Sequence, residues 1–281
     1  MEQNQTNHTL LAIFAHPDDE AFGTGGSLAA YARAGARVVL ACATRGEVGE
    51  ISDPSLATPE TLGQVRENEL RCAAETMGIA EVAFLDYRDS GMDGTPENQH
   101  PEAFINAPTE QVVGKLVSIL RRVRPQVVVT FEPNGGYGHP DHIAIHHHTV
   151  RAFHLAADPT YAPGIGAPWQ TQRLFYTALT RSFFKALRDS LQRAGVDPQE
   201  LERYEGRGWP DEQVNVTLDI SQTVDEKWEA FNCHRTQFGP QSLMRRLPEE
   251  TVKRLISFEH YHLAWPASES NAHLSDLFSA L

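Results

Sequence analysis

The run Leu10-Leu11-Ala12-Ile13-Phe14-Ala15-His16-Pro17-Asp18-Asp19-Glu20 takes an apolar, strand-like stretch straight into an imidazole and three carboxylates, and the glycine-rich segment Gly23-Thr24-Gly25-Gly26 follows. Sheet proteins place chemistry in a loop of this kind, because the buried strand fixes the loop while leaving it reachable. The pattern returns downstream. Val127 to Phe131 is again apolar, and Gly135-Gly136-Tyr137-Gly138-His139-Pro140-Asp141-His142 comes directly after it. Two strand ends thus offer His16, Asp19 and His142 to one point. That donor set suits a catalytic zinc with its fourth position open for water.

Outward from these two stretches the chain alternates strand and helix signals. Leu10 to Phe14, Val38 to Ala43, Val82 to Leu85 and Gln126 to Phe131 read as strands, and Ser27 to Ala34, Thr61 to Met77 and Gln111 to Val123 carry helical spacing. After His142 the reading continues with a helix to about Ala157, a strand at Leu174 to Leu179, a helix at Arg181 to Ala194, a strand at Val214 to Ile220 and a helix at Gln222 to His234. The stretch to Leu281 gives no clear pattern. Strand-helix-strand alternation implies right-handed crossovers, hence an α/β, Rossmann-like three-layer sandwich with a mostly parallel sheet and helices on both faces. No linker, repeat or low-complexity tract divides the 281 residues, so 1–281 reads as a single domain. Its substrate-side excursion and C-terminal elements come after about residue 158.

Composition narrows the function classes. A formal charge of −13 and the lack of any basic cluster beyond Arg121-Arg122 and Arg245-Arg246 exclude a nucleic-acid partner. Met1 to Thr9 lacks a signal-peptide core and no later run has the ~20 apolar residues needed to cross a bilayer, so a cytoplasmic location is expected. Cys42, Cys72 and Cys233 form no CxxC pair. Their spacing implies neither a disulfide framework nor a thiolate metal site, and it fits a reducing compartment. The composition leaves homo-oligomerisation open.

Each residue of the two clusters has a chemical reading. Asp18, between two ligands, sits where a general base beside the metal's water is wanted, and Glu20 would fix the loop or an imidazole. Pro140 suits a first helical position with His139 as its cap, so Asp141 and His142 fall in the first turn. His139 then faces an oxyanion, Tyr137 is a second candidate for that role, and Asp141 would orient a histidine ring. His142 and His146 have i, i+4 spacing, but position 143 is Ile rather than the glutamate of H-E-x-x-H, so His146, His147 and His148 read as helix surface or supporting residues. Gly23-Thr24-Gly25-Gly26 is not G-x-G-x-x-G. Close helix packing explains it better than a dinucleotide site.

These motifs resemble the LmbE-like, or PIG-L, family of zinc-dependent N-deacetylases, to which the deacetylases of mycothiol and bacillithiol synthesis belong. Ala15-His16-Pro17-Asp18-Asp19-Glu20 and His139-Pro140-Asp141-His142 match its two signatures. Thr44 to Glu50, Arg66 to Leu70, Tyr87 to Met92 and Cys233-His234-Arg235-Thr236-Gln237 are similar to further family segments. The resemblance implies a hydrolase that removes acetyl from an N-acetylglucosamine-type sugar conjugate. Its metal would be zinc, or iron(II) in the cell, held by His16, Asp19 and His142, with Asp18 as base and His139 at the oxyanion. By the same likeness Arg66, Asp89 and Met92, joined by Arg88 or Glu50, surround the substrate. Two alternatives stand beside this reading: an amidase on mycothiol-type S-conjugates, against which Gly23 counts because that branch is expected to carry lysine there, and a metal-containing sugar-binding protein without turnover.

Overall fold

The structure, a computed structural model, describes residues 8–269, 272–279 and 281. Met1 to Asn7, part of the stretch read as lacking a signal-peptide core, lie outside them. In chain order the regular elements begin β1 (Thr9–Phe14), α1 (Asp19–Arg33), β2 (Arg37–Cys42), α2 (Leu62–Thr76), β3 (Glu81–Phe84), α3 (Thr109–Val123) and β4 (Val127–Thr130). They continue with the one-turn α4 (Gly135–Gly138), α5 (Pro140–Leu155), β5 (Arg173–Thr177), α6 (Arg181–Arg193) and the one-turn α7 (Pro198–Leu201). β6 (Val216–Asp219), α8 (Val224–Cys233), α9 (Glu249–Leu255) and β7 (Phe258–Trp265) complete the order.

The seven strands form one sheet in the order β3-β2-β1-β4-β5-β7-β6. β1 to β5 pair in parallel, whereas β7 runs antiparallel to both β5 and β6. Parallel strands covered on both faces are apolar throughout. Accordingly Leu10 to Phe14, Val38 to Cys42 and Val127 to Val129 are all buried. α8 packs on both α1 and α2, and α3 packs on α5. With right-handed crossovers, these two groups cover opposite faces of the sheet. Chain direction across the sheet reverses between β1 and β4, and the crevice beyond their carboxyl ends is where open α/β sheets bind ligands.

Two sequence expectations need correction. The helix read from Ser27 starts earlier, since α1 begins at Asp19 and runs through the glycine segment. A Cβ at Gly26 would come within 2.6–2.8 Å of the Ile220 side chain, so glycine here serves close packing of α1, as its lack of a dinucleotide pattern suggested. The cysteines differ too. Cys72 and Cys233 form a disulfide across 161 residues of sequence, with only Cys42 free and buried. Packing of α2 on α8 brings their Cα atoms to 5.8 Å, a proximity that no local spacing could signal, and the cysteine argument for a reducing compartment falls with it.

Candidate metal centre and active site

β1 and β4 deliver both clusters to the same crevice. Asp19 opens α1 and accepts hydrogen bonds through Oδ2 from the backbone N–H of His16 (2.8 Å) and Ala15 (3.2 Å), which leaves Oδ1 directed at His142 Nε2, 3.3 Å away. On the other side Pro140 occupies the first turn of α5, with His139 as its cap, as the sequence suggested. Gly135, at φ +63°, folds so closely over this helix that a Cβ would lie 2.5 Å from that of His142. Glu132 holds this loop by accepting from the N–H of Asn134 (2.7 Å) and Gly136 (2.6 Å). Sequence reading passed over Glu132 because its partners are backbone groups.

Among the described residues two groups bring potential ligand atoms within 4.8 Å of one another: His16, His139 and His142, and His16, Asp89 and Asp141. Neither group contains Asp19, and the ring protons show which nitrogens of the three histidines are free to ligate. His142 Nδ1 lies 3.0 Å from the Gly135 carbonyl oxygen, which only accepts, so Nδ1 carries hydrogen and Nε2 a lone pair. His16 Nε2 lies 3.1 Å from Asp141 Oδ2 and 3.5 Å from Asp89 Oδ1, so it donates to carboxylate and frees Nδ1. Asp141 Oδ2 is in turn fixed by the Ser90 N–H at 3.0 Å. His139 is the reverse case: its Nδ1 accepts from the Asp141 N–H at 3.1 Å, which leaves a proton on Nε2 in the neutral ring. A proton-bearing nitrogen donates to an anion and does not ligate a cation.

His16 Nδ1 and His142 Nε2 therefore face each other at 3.1 Å with Asp19 Oδ1 beside them. Three electron-rich atoms so placed repel one another unless a positive charge joins them. The site's electrostatics show the same demand for positive charge. Burial opposes a charged His16, yet the carboxylates of Asp89, Asp141 and Asp19 overcome it and raise its pKa well above the ordinary imidazole value. Burial, reinforced by the His16 charge, drives His142 well below that value and His139 down to about 3. The residues present fit a divalent ion with two imidazole nitrogens and one carboxylate oxygen.

Asp18 lies between His16 and Asp19 with its backbone at φ 115°, ψ −26°. Burial pushes its carboxyl up to about 6 against the pull of Arg66. Arg66 Nη2 donates to the Pro17 carbonyl (2.5 Å) and to Asp18 Oδ2 (3.2 Å), and Nη1 to the Gly46 carbonyl (3.1 Å). The Asp18 N–H donates to Glu20 Oε2 at 3.0 Å, while Glu20 Oε1 takes His234 Nε2 at 2.6 Å. His234, 0% exposed at the end of α8, comes from 214 positions away. Thr236 donates to Glu69 through N–H and hydroxyl, and Gln237 Nε2 donates to the Glu50 carbonyl. The sequence marked Cys233 to Gln237 only as a likeness; its signal was a compact polar cluster at a helix end.

The five residues assigned by resemblance to the substrate's surroundings divide. Arg66 and Asp89 are each 3% exposed, Arg66 leaving only its Nε without a partner and Asp89 accepting from Gly91 N–H (2.9 Å) and Val48 N–H (3.4 Å). They lie deeper than a pocket rim. Met92 is 47% exposed, Glu50 is exposed and Arg88 is half-buried beside a cavity. Tyr137, 52% exposed, stands at the mouth with its ring centroid 5.0 Å from that of His142. His146 turns away, its Nδ1 2.8 Å from the Phe131 carbonyl oxygen.

The model of the PIG-L family, GlcNAc-PI de-N-acetylase, matches residues 11–153, which include every residue of both clusters. The chain belongs to the PIG-L family. Among relatives of this family member, a 1D-myo-inositol 2-acetamido-2-deoxy-alpha-D-glucopyranoside deacetylase from Streptomyces scabiei is 38% identical, over 99% of this chain and 91% of its own. The protein of that name from Thermobifida fusca is 37% identical, over 96% of this chain and 98% of its own. The solved N,N'-diacetylchitobiose deacetylase from Pyrococcus horikoshii matches with a TM-score of 0.64 over 91% of this chain and 83% of its own, and at 20% identity it shows the shared fold. No helix among the described residues is long and apolar enough to cross a membrane.

Proposed function

We propose that this PIG-L family member is a metal-dependent hydrolase that releases acetate from an N-acetylglucosamine conjugate, and that the conjugate is the myo-inositol glycoside for which its relatives are named. The observation that carries the reading is the ring-proton pattern: two imidazole lone pairs and a carboxylate oxygen converge, and a neutral, proton-bearing His139 stands beside them. When bound, a divalent cation supplies Lewis acidity to the amide carbonyl and to the attacking water. Zinc suits the N₂O donor set, and iron(II) is accepted by the same ligands.

In this reading Asp18 takes the proton from water as its oxygen bonds to the acetamide carbon, and His139 Nε2–H donates to the oxyanion that develops. Tyr137, at the mouth, donates a second hydrogen bond. The carbon–nitrogen bond then breaks, and the proton held by Asp18 passes to the leaving amine, so water plus amide gives acetate plus amine. Arg66 holds the Asp18 carboxylate, and Asp141 keeps the Nδ1 lone pair of His16 directed inward. We read residues 1–281 as one catalytic unit.

The test is incubation of the metal-loaded protein with 1D-myo-inositol 2-acetamido-2-deoxy-α-D-glucopyranoside. Acetate and a free primary amine should appear in equal amounts. Acetate at the rate of the protein-free control would remove the reading.

A further inference from the structure

A cavity of about 670 Å³ opens between the loop after β2 and the loop after β3, with Glu47, Val48, Gln64, Arg88 and Glu97 among its walls. It shares a wall with the metal centre. The Val48 N–H donates to Asp89 Oδ2, the Asp89 N–H donates to Glu47 Oε2 at 3.1 Å, and Asp89 Oδ1 lies 3.5 Å from His16 Nε2. β2 and β3 are the first and second neighbours of β1 in the sheet. Asp89 stands between the cavity wall and the His16 ring, so one residue separates the cavity from that imidazole.

The chemistry of the walls selects the class of ligand. Arg45, also in the wall, is already engaged by Glu67 (2.5 Å) and Asp86 (2.8 Å). The Arg88 guanidinium has no carboxylate partner among the described residues, and its buried Nε has no hydrogen-bond partner. A buried polar atom of this kind needs water or a ligand as its partner. Glu47, Glu60 and Glu97 line the same space, so an anionic group would meet three carboxylates there. A neutral polyhydroxylated ring meets complementary groups, since each hydroxyl both donates to a carboxylate and accepts from a guanidinium or amide.

We infer that this cavity binds the aglycone of the acetylated amino sugar, a neutral polyol ring, and that Arg88 is a specificity-determining residue acting on the aglycone. The inference rests on the deacetylase reading and adds to it the place where the second ring sits. Its test compares two substrates of the full-length, metal-loaded protein: 1D-myo-inositol 2-acetamido-2-deoxy-α-D-glucopyranoside and the methyl glycoside of the same sugar. The parent should prefer the inositol glycoside in kcat/KM by 10-fold or more. Arg88→Ala should reduce that preference ratio by about 10-fold, because a lost polar contact to bound ligand leaves groups unpaired. Gln64→Trp, which projects bulk into the cavity from the exposed side of α2, should reduce it likewise and guards against a folding defect in the first variant. A ratio in both variants within twofold of the parent's, or a parent without preference, would overturn the proposal. Hydrolysis of neither substrate by the parent would instead refute the deacetylase reading itself.

Discussion

Asp18 adopts a left-handed backbone conformation that a residue with a Cβ takes only under constraint, a strain of about 1–3 kcal/mol held by its surroundings. Glu20 fixes its N–H, Arg66 grips the preceding carbonyl together with the carboxylate, and His234 fixes Glu20. Asp18→Asn should keep its metal and lose about 10²-fold or more in kcat, the scale of general-base catalysis. Turnover close to the parent's would end that assignment. His142→Ala, by contrast, should lose the metal itself, as elemental analysis would show. Full occupancy in that variant would contradict the ligand set. His234→Ala acts at one remove: kcat should fall by 10-fold or more while KM changes little, and His234→Gln, which can still donate to Glu20, should recover part of the loss. An equal change in kcat and KM, or no recovery by glutamine, would reduce His234 to a packing role.

At the scale of elements, what was legible depended on whether the signal was local. β1 to β4 and α1 to α3 came from hydrophobic periodicity, and the two histidine-and-carboxylate loops from strand ends followed by clustered histidine and carboxylate. β7 gave no such signal, although its side chains alternate in burial along Phe258 to Trp265, because the buried set includes Glu259 in place of an apolar residue. The Cys72–Cys233 pair, the link from His234 to Glu20 and the depth of Arg66 are long-range outcomes of packing α8 and α2 behind the catalytic loop. Sequence spacing carries no information about them. The start of α1 was misplaced because glycines normally argue against helix interior, whereas here they allow α1 to approach Ile220 and Lys227. Gly26→Ala should therefore destabilise by about 1–3 kcal/mol, the range for overpacking, despite alanine's better helix propensity. A urea midpoint equal to or above the parent's would show that Ile220 yields without cost.

Across the whole molecule, the antiparallel edge is tied to the catalytic half through one buried carboxylate. Glu259 on β7 accepts from the N–H of Gly26 (2.9 Å) and Ser27 (2.8 Å), the Ser27 hydroxyl and Lys227 Nζ (2.7 Å). Lys227 and Glu259 are both buried, so Lys227→Met would leave a buried anion without its cation at a cost of about 3–5 kcal/mol, read by urea denaturation. A loss below about 1 kcal/mol would mean that the backbone N–H groups alone satisfy the carboxylate. This tie anchors α1, and α1 begins with Asp19, whose carboxylate faces His142. The sheet reversal between β1 and β4 then sets His16 and Asp19 against His142, and the account stands on that convergence. The most direct measurement is a metal titration of the stripped protein, following acetate release from the inositol glycoside. Activity should be absent without metal and rise linearly to a plateau at one equivalent of zinc per chain. Acetate release that persists in the stripped protein, or fails to return on reloading, would contradict the account.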